Sequence, residues 1–326
     1  RIICRCEEGA RSVPTKQPPI KLGIASGKGR PRNDMMRIKI MQEKPKVSVT
    51  RTRRDSAARD FSFTADSIPT GDLKDIRAQA WDVFTKFAMP ITTDEAWRRT
   101  DLRLLPASDF RIPRKGAFED LPVVPERLLQ PLTGEQHGGQ ITLLPGGSHV
   151  ELDPALVGKG VIFTDLRTAE RDHPALLNKL IGQIVKPEDG KFAALASAFA
   201  GNGVLLHVPR NVQVESPLHS VLWGPGTDLA HFSHLIINVD DGASVTYVHE
   251  AASPDEPGHA MHAGVVEIHV GQNANLRFVE LQSWGRHVWN FSNERARVER
   301  GGNLDWIFGA VGSRLTKNFS DLDLVG

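Results

Sequence analysis

The hydrophobic positions of this chain change period once, near residue 203. Between Asp66 and about Leu105 they recur at helical spacing. Ile76, Ala80, Val83, Phe84 and Phe87 form one face, Ser67 and Thr70 are candidate caps, and Pro90 closes the helix. A shorter helix is expected after Thr93. Asp94 and Glu95 would occupy its first turn, where carboxylates suit the positive end of the dipole, with Trp97, Arg98, Arg99, Thr100 and Asp101 following. Pro106, Pro113, Pro122, Pro125, Pro131, Pro145, Gly146 and Gly147 break the next stretch into short strands and loops. Thr168 to Leu180 reads as another helix and Phe192 to Phe199 as a short Ala-rich one.

After Gly203 the pattern is that of strands. Val204–Val208 is followed by a turn and Val212-Gln213-Val214. Leu235–Val239 turns at Asp241-Gly242 into Val245–Val248. Val265–Val270 turns at Gly271–Asn273 into Leu276–Val279, and Ala296–Val298 turns at Gly301-Gly302 into Leu304–Ile307. The strand ends Val208, Val239, Val270 and Val298 stand about 30 residues apart, the mark of a solenoid whose units cover one another's apolar faces. Val245/Tyr247, Leu276/Phe278 and Leu304/Trp306 occupy equivalent places and should pile into interior stacks. The expected fold is mainly β, a parallel β-helix core preceded by a small helical N-terminal region. A β-sandwich is the rival, but its hairpins need no fixed period. The expected organisation is a basic leader over 1–60, a helical region over 61–105, a mixed connection over 106–190 and the β-helix over 191–326. The last of these is expected to be incomplete, because Asp321–Gly326 reads as another strand with no cap after it.

Charge separates the leader from the rest. Residues 1–59 hold sixteen Lys/Arg against five Asp/Glu, although the whole chain has a net charge of only +1. With few aromatics and no sustained period, this segment should not bury enough apolar surface to offset its ordering entropy. It reads as disordered, either a transit peptide or a translated upstream stretch ahead of Met35, Met36 or Met41. No apolar run is long enough to cross a bilayer, and the near-neutral charge gives no general reason to expect nucleic acid as partner. Both cysteines, Cys4 and Cys6, lie in the leader. Residues 7–326 therefore contain no thiol, and the body of the chain alone can hold neither a disulfide nor a thiolate-bound iron–sulfur centre.

Several segments resemble the SufB/SufD family of the SUF iron–sulfur cluster assembly system. They are Glu95–Asp101, Gly160–Arg167, Lys191–Leu195 running into Ser197–Ala200, Asp241–Val245, and Gly312–Leu315 with Lys317-Asn318. They occur in order over residues 66–326. The resemblance implies a right-handed parallel β-helix between a helical N-terminal region and a final helical domain. It also implies a non-enzymatic scaffold subunit that works with a SufB-like paralogue and a SufC-like ATPase. The chain itself would then carry no cofactor, and a cluster would form transiently at the level of the complex. The setting would be cytoplasmic, or the plastid stroma if the leader is a transit peptide. SufB proteins carry a cysteine where Ala251 stands, which points to a SufD-like member; the histidine that SufD contributes would lie beyond Gly326. Gln282 and Trp284 match a Gln-x-Trp that SufB proteins place inside the β-helix, and so mark a candidate interior path. The basic residue SufB carries downstream corresponds to Glu294.

Other candidates have simpler readings. His231/His234 and His259/His262 are His-x-x-His pairs, but in a strand three-residue spacing sends the rings to opposite faces, and neither pair has a third ligand at standard spacing. His207, His249 and His269 are expected at packing or rung positions. Gly23–Lys28 is one residue short of a phosphate loop, and Gly29 stands in place of its Ser/Thr. Arg98 and Arg99 fit a solvated helix face, and Asp240-Asp241 a turn. No catalytic or metal-binding residue is assigned. The functional rivals are a carbohydrate-active, polysaccharide lyase-like β-helix, which would need clustered acidic calcium ligands, and nucleic-acid binding through the leader.

Overall fold

Alternate residues of each strand in the second half meet opposite environments, as the two-residue period of an extended chain requires. In β6 (Ala230–Val239) Leu235, Ile237 and Val239 point into the interior, while Phe232 and Ile236 pack beneath the helices outside, so the whole strand is buried. Burial on both faces is the usual condition of parallel strands. The structure is a computed structural model that describes residues 59–113, 123–130 and 137–326. Residues 1–58, which hold the expected leader with Cys4, Cys6 and Gly23–Lys28, lie outside the described residues.

The strands are β1 (Gly139–Leu144), β2 (Gly147–Leu152), β3 (Ile162–Asp165), β4 (Asn202–Val208), β5 (Leu218–Trp223), β6, β7 (Ser244–Ala252), β8 (Ala260–Val270), β9 (Asn275–Ser283), β10 (Val288–Val298), β11 (Asn303–Ala310) and β12 (Leu315–Leu324). From β4 onward the chain alternates between two six-stranded sheets, ordered β11-β9-β7-β5-β1-β2 and β12-β10-β8-β6-β4-β3. All pairings from β4 to β12 are parallel; the antiparallel pairs β1–β2 and β3–β4 lie at the N-terminal end. The expected parallel solenoid is thus observed. Its register sets Leu235 beside Val204, Val266 beside Leu235, Glu294 beside Val266 and Ser320 beside Glu294, steps of 31, 31, 28 and 26 residues. The sheets reach back to Gly139, because β1 pairs with β5.

The corner after each of β4, β6, β8 and β10 repeats one backbone conformation. Asn211, Gly242, Asn273 and Gly301 all have positive φ, at 62°, 67°, 55° and 70°. Glycine and asparagine are the residues that enter this region at least cost. Another corner depends on Gly312 (φ 86°), where a Cβ would collide with the carbonyl oxygen of Trp284 in the rung below. Gly312→Ala should therefore cost roughly 1–3 kcal/mol, read as a shift in the urea midpoint; an unchanged midpoint would mean that the corner is not held tightly.

Among the described residues six α-helices accompany the sheets: α1 (Lys74–Lys86), α2 (Glu126–Leu129), α3 (Pro154–Gly158), α4 (Leu166–Asp172), α5 (Pro174–Leu180) and α6 (Lys191–Phe199). Helix α6, with Phe63 of the N-terminal segment, covers the outer face of the β6/β8/β10 sheet through aromatic rings. Phe192 stacks on Phe291 at 3.8 Å, Phe199 meets Phe232 at 5.5 Å, and Phe63 contacts both Phe199 and Phe232. Lys191 is buried among them, its ammonium donating to Asp60 (2.9 Å) and the Phe87 carbonyl (2.7 Å) over the Phe84 ring.

Four local expectations differ from the structure. The helix after Thr93 is only a 3-10 turn, Glu95–Trp97, because Trp97 is drawn sideways against Phe192, Phe291 and Phe319. Thr168–Leu180 is two helices meeting at His173, with Pro174 at the first position of α5, where its missing N–H costs nothing. Neither Ser67 nor Thr70 caps α1, whose N-cap position is Leu73. Val212–Val214 contributes a single bridge, Gln213 to Ser244, and no strand.

Candidate functional site

The same alternation that buries the aliphatic residues carries polar side chains into the lumen between the sheets. The row Val204, Leu235, Val266, Glu294 and Ser320 shows the change along the axis from apolar to polar. On the facing sheet Tyr247, Phe278 and Trp306 form the expected stack, with centroids 5.4 Å and 6.0 Å apart. The next inward row is polar: Ser220, His249 and Glu280, the last beside Phe308. Ser220 Oγ lies 2.6 Å from the Tyr247 hydroxyl and 2.7 Å from His249 Nδ1.

A connected network crosses the lumen. His262 Nδ1 lies 2.7 Å from the Asn290 side-chain oxygen, which can only accept, so Nδ1 carries the proton and Nε2 accepts from Ser233 Oγ at 2.8 Å. Asn290 donates to Gln282 Oε1 (2.7 Å), and Gln282 donates to Glu280 Oε1 (2.9 Å). Glu294 Oε2 accepts from Asn318 Nδ2 and Ser320 Oγ, both at 3.0 Å. The Trp284 indole stacks on His262 at 4.9 Å. Among the described residues Trp284 Nε1 and His231 Nε2 are buried without a hydrogen-bond partner. His231 also lines a cleft of about 580 Å³ with Arg77, Arg167, Glu170, Asn202 and Phe232.

Burial sets the charge states. It pushes His231 and His249 down to about 3, with His262 adding repulsion in both cases, and His262 down to about 4. These imidazoles are neutral at pH 7. Burial acts the opposite way on carboxyls, raising Glu280 well above the usual range, with repulsion from Glu294 second, and raising Glu294 to about 7.

The His-x-x-His pairs are split, as strand geometry requires. His231 lies beside luminal His262 in register and near Gly224 with Trp284, whereas His234 points outward and donates through Nε2 to Glu267 at 2.7 Å. His262 is luminal, but His259 accepts from the Trp289 indole at 3.2 Å. His207 and His269 flank Asn238 on the outer face, at 2.9 and 3.0 Å. Asp241 takes the Gln272 N–H in the Asp240–Gly242 corner, and Arg98 pairs with Glu95 on the surface. Gln282 and Trp284 are both buried at the lumen, and Ala251 lies beside Gln282 in register. Sequence reasoning did not assemble Ser220, His249, His262, Glu280 and Asn290 around them. Part of the signal was present, because Phe278, Glu280, Gln282 and Trp284 share one strand parity.

A thiol-free parallel solenoid with a polar lumen and an aromatic-sealed helical cover defines the structural class. Two family models match it end to end across the body: the SufBD protein N-terminal region over residues 59–219, and the SUF system FeS cluster assembly SufBD core domain over residues 222–326. The chain belongs to the SufBD family. Similar curated proteins include Iron-sulfur cluster assembly SufBD family proteins of Staphylococcus haemolyticus and Staphylococcus epidermidis, each 34% identical over 175 residues, and one of Staphylococcus aureus at 33%. Each match covers 54% of this chain and 38% of the relative, so the chain spans well under half the length of these relatives. This kinship favours an assembly protein over a polysaccharide lyase. No helix among the described residues is long and apolar enough to cross a membrane.

Proposed function

We propose that this chain acts as a SufD-like scaffold subunit in iron–sulfur cluster assembly, without catalysis of its own, beside a SufB-like paralogue and under the action of a SufC-like ATPase. The observation that carries this reading is a SufBD solenoid in which residues 7–326 have no cysteine and Ala251 occupies the luminal position beside Gln282. Without thiolates this body offers an iron–sulfur cluster none of its usual ligands, so a partner must supply them. Gln282 and Trp284 would serve as part of an interior path, oriented by Asn290 and His262. A cytoplasmic setting fits this role, or a plastid stroma if the leader directs import.

The test is co-expression of the full chain, carrying Cys4→Ser and Cys6→Ser, with a cysteine-bearing SufB-like protein and a SufC-like ATPase. Co-purification of the three is expected, with cluster absorbance after anaerobic iron and sulfide only when the SufB-like protein is present. A stable cluster on this variant alone, or no association with either partner, would overturn the proposal.

A further inference from the structure

The luminal groups without a hydrogen-bond partner among the described residues include oxygens of two carboxyls on facing sheets. Glu280 on β9 and Glu294 on β10 are 3% and 2% exposed, and each carboxyl bears electrostatically on the other across the interior. Glu280 Oε2 and Glu294 Oε1 nevertheless have no donor among the described residues. Two ionised carboxylates can only accept, so these two buried oxygens can satisfy each other only through a proton that one carboxyl retains. The surrounding donors identify the holder. Glu294 already accepts from Asn318 and Ser320, which stabilise its anion, whereas Glu280 Oε1 accepts from the Gln282 amide.

We infer that Glu280 and Glu294 share a single proton, donated by Glu280 to Glu294, and that this proton fastens the two sheets together in the polar part of the lumen. Its release in alkali leaves two like charges facing each other in a buried space, so the pair is a pH-sensitive clamp built into the solenoid. The titratable groups that face it are Tyr247 and His249 on β7 and His262 on β8. Gln282, Asn290, Ser292, Trp306, Asn318 and Ser320 complete the polar surroundings. Burial keeps Tyr247 protonated and both histidines neutral, so none supplies a compensating positive charge. The nearest cations on these strands, Arg277, Arg295, Arg297 and Lys317, project outward to Asp305, Asp189, Glu299 and the Ala96 carbonyl.

The sign of the pH dependence follows. Both folded-state values lie above the ordinary 4.5 of glutamate, so the unfolded chain gives up these protons first. The stability they contribute is complete below about 4.5 and falls as pH rises through about 7 and beyond. In Glu280→Gln an amide donates permanently to Glu294 and nothing at position 280 remains to ionise. Thermal melts of the full chain from pH 5.5 to 9 should show the wild type losing stability relative to Glu280→Gln as pH rises. The histidines cancel in this difference. A pH-independent difference would overturn the inference. Infrared spectra at pH 8 provide a readout that does not need the variant to be stable. The wild type should show a protonated-carboxyl stretching band, retained in Glu294→Gln, and its absence from the wild type would equally overturn the inference.

Discussion

Glu267→Ala is expected to be among the most destabilising single substitutions in the chain, at roughly 3–5 kcal/mol. Glu267 lies on the outer face of β8, yet its side chain is only 1% exposed. Its Oε1 accepts the Gly182 N–H (2.6 Å) and His234 Nε2–H (2.7 Å), and its Oε2 accepts the N–H groups of Ile184 (2.6 Å) and Val185 (3.1 Å). One carboxylate therefore fastens the loop between α5 and α6 to two neighbouring rungs. Removing it takes the acceptor from three backbone donors and an imidazole N–H, of which Val185 and His234 are buried and Gly182 and Ile184 half-buried, and an unpaired buried donor costs about 1–3 kcal/mol. Glu267→Gln keeps the shape but only one acceptor oxygen, so about half the loss should remain. Urea unfolding measures the total, and hydrogen exchange should speed up first at the amides of residues 182, 184 and 185. A loss below about 1 kcal/mol would show that the loop is held by other contacts.

Phe278→Ala should cost a comparable amount, about 3–5 kcal/mol. Phe278 is fully buried between Tyr247 on one rung and Trp306 on the next. In a stacked fold each rung is covered only by its neighbours, so a hole here weakens two interfaces at once. Phe278→Leu, which fills more of the space, should recover more than half. Thermal and urea melts provide the comparison. Equal losses for Leu and Ala would indicate that ring stacking, and not filled volume, holds the column.

Much of this architecture was legible in the chain. The 30-residue step among Val208, Val239, Val270 and Val298 is a consequence of stacking and shows itself in the register of β4, β6, β8 and β10. The Tyr247/Phe278/Trp306 column was legible for the same reason, as was the division of His231 from His234, because strand parity is local. Helix extents were less legible. Trp97 packs against rings almost 100 to more than 200 residues away, and that long-range burial outweighs the weak helical preference of Glu95–Asp101. The break at Pro174 could have been read from the proline itself.

The candidate site divides along the same line. Parity alone aligns Glu280 and Gln282 with the Phe278 face, and the missing cysteines are a fact of composition. Glu267 illustrates the opposite case. Within Val265–Val270 it alternates like a solvent-facing residue, and nothing nearby announces the three amides that reach it from residues 182–185. Nor does any local pattern place Glu294 against Glu280, since that meeting depends on how far two sheets are offset across the lumen.

The amino-acid order thus determined, unaided, the period of the coil, the aliphatic and aromatic identity of its interior and the absence of thiol ligands from its body. Each of these follows from a repeat or a count. Folding in three dimensions decided which polar groups share the lumen, which carboxyl keeps a proton there and which outer face is sealed by helices. Those outcomes depend on distances between segments remote in the chain, and free energies of desolvation and hydrogen bonding take their values only once such segments are brought together.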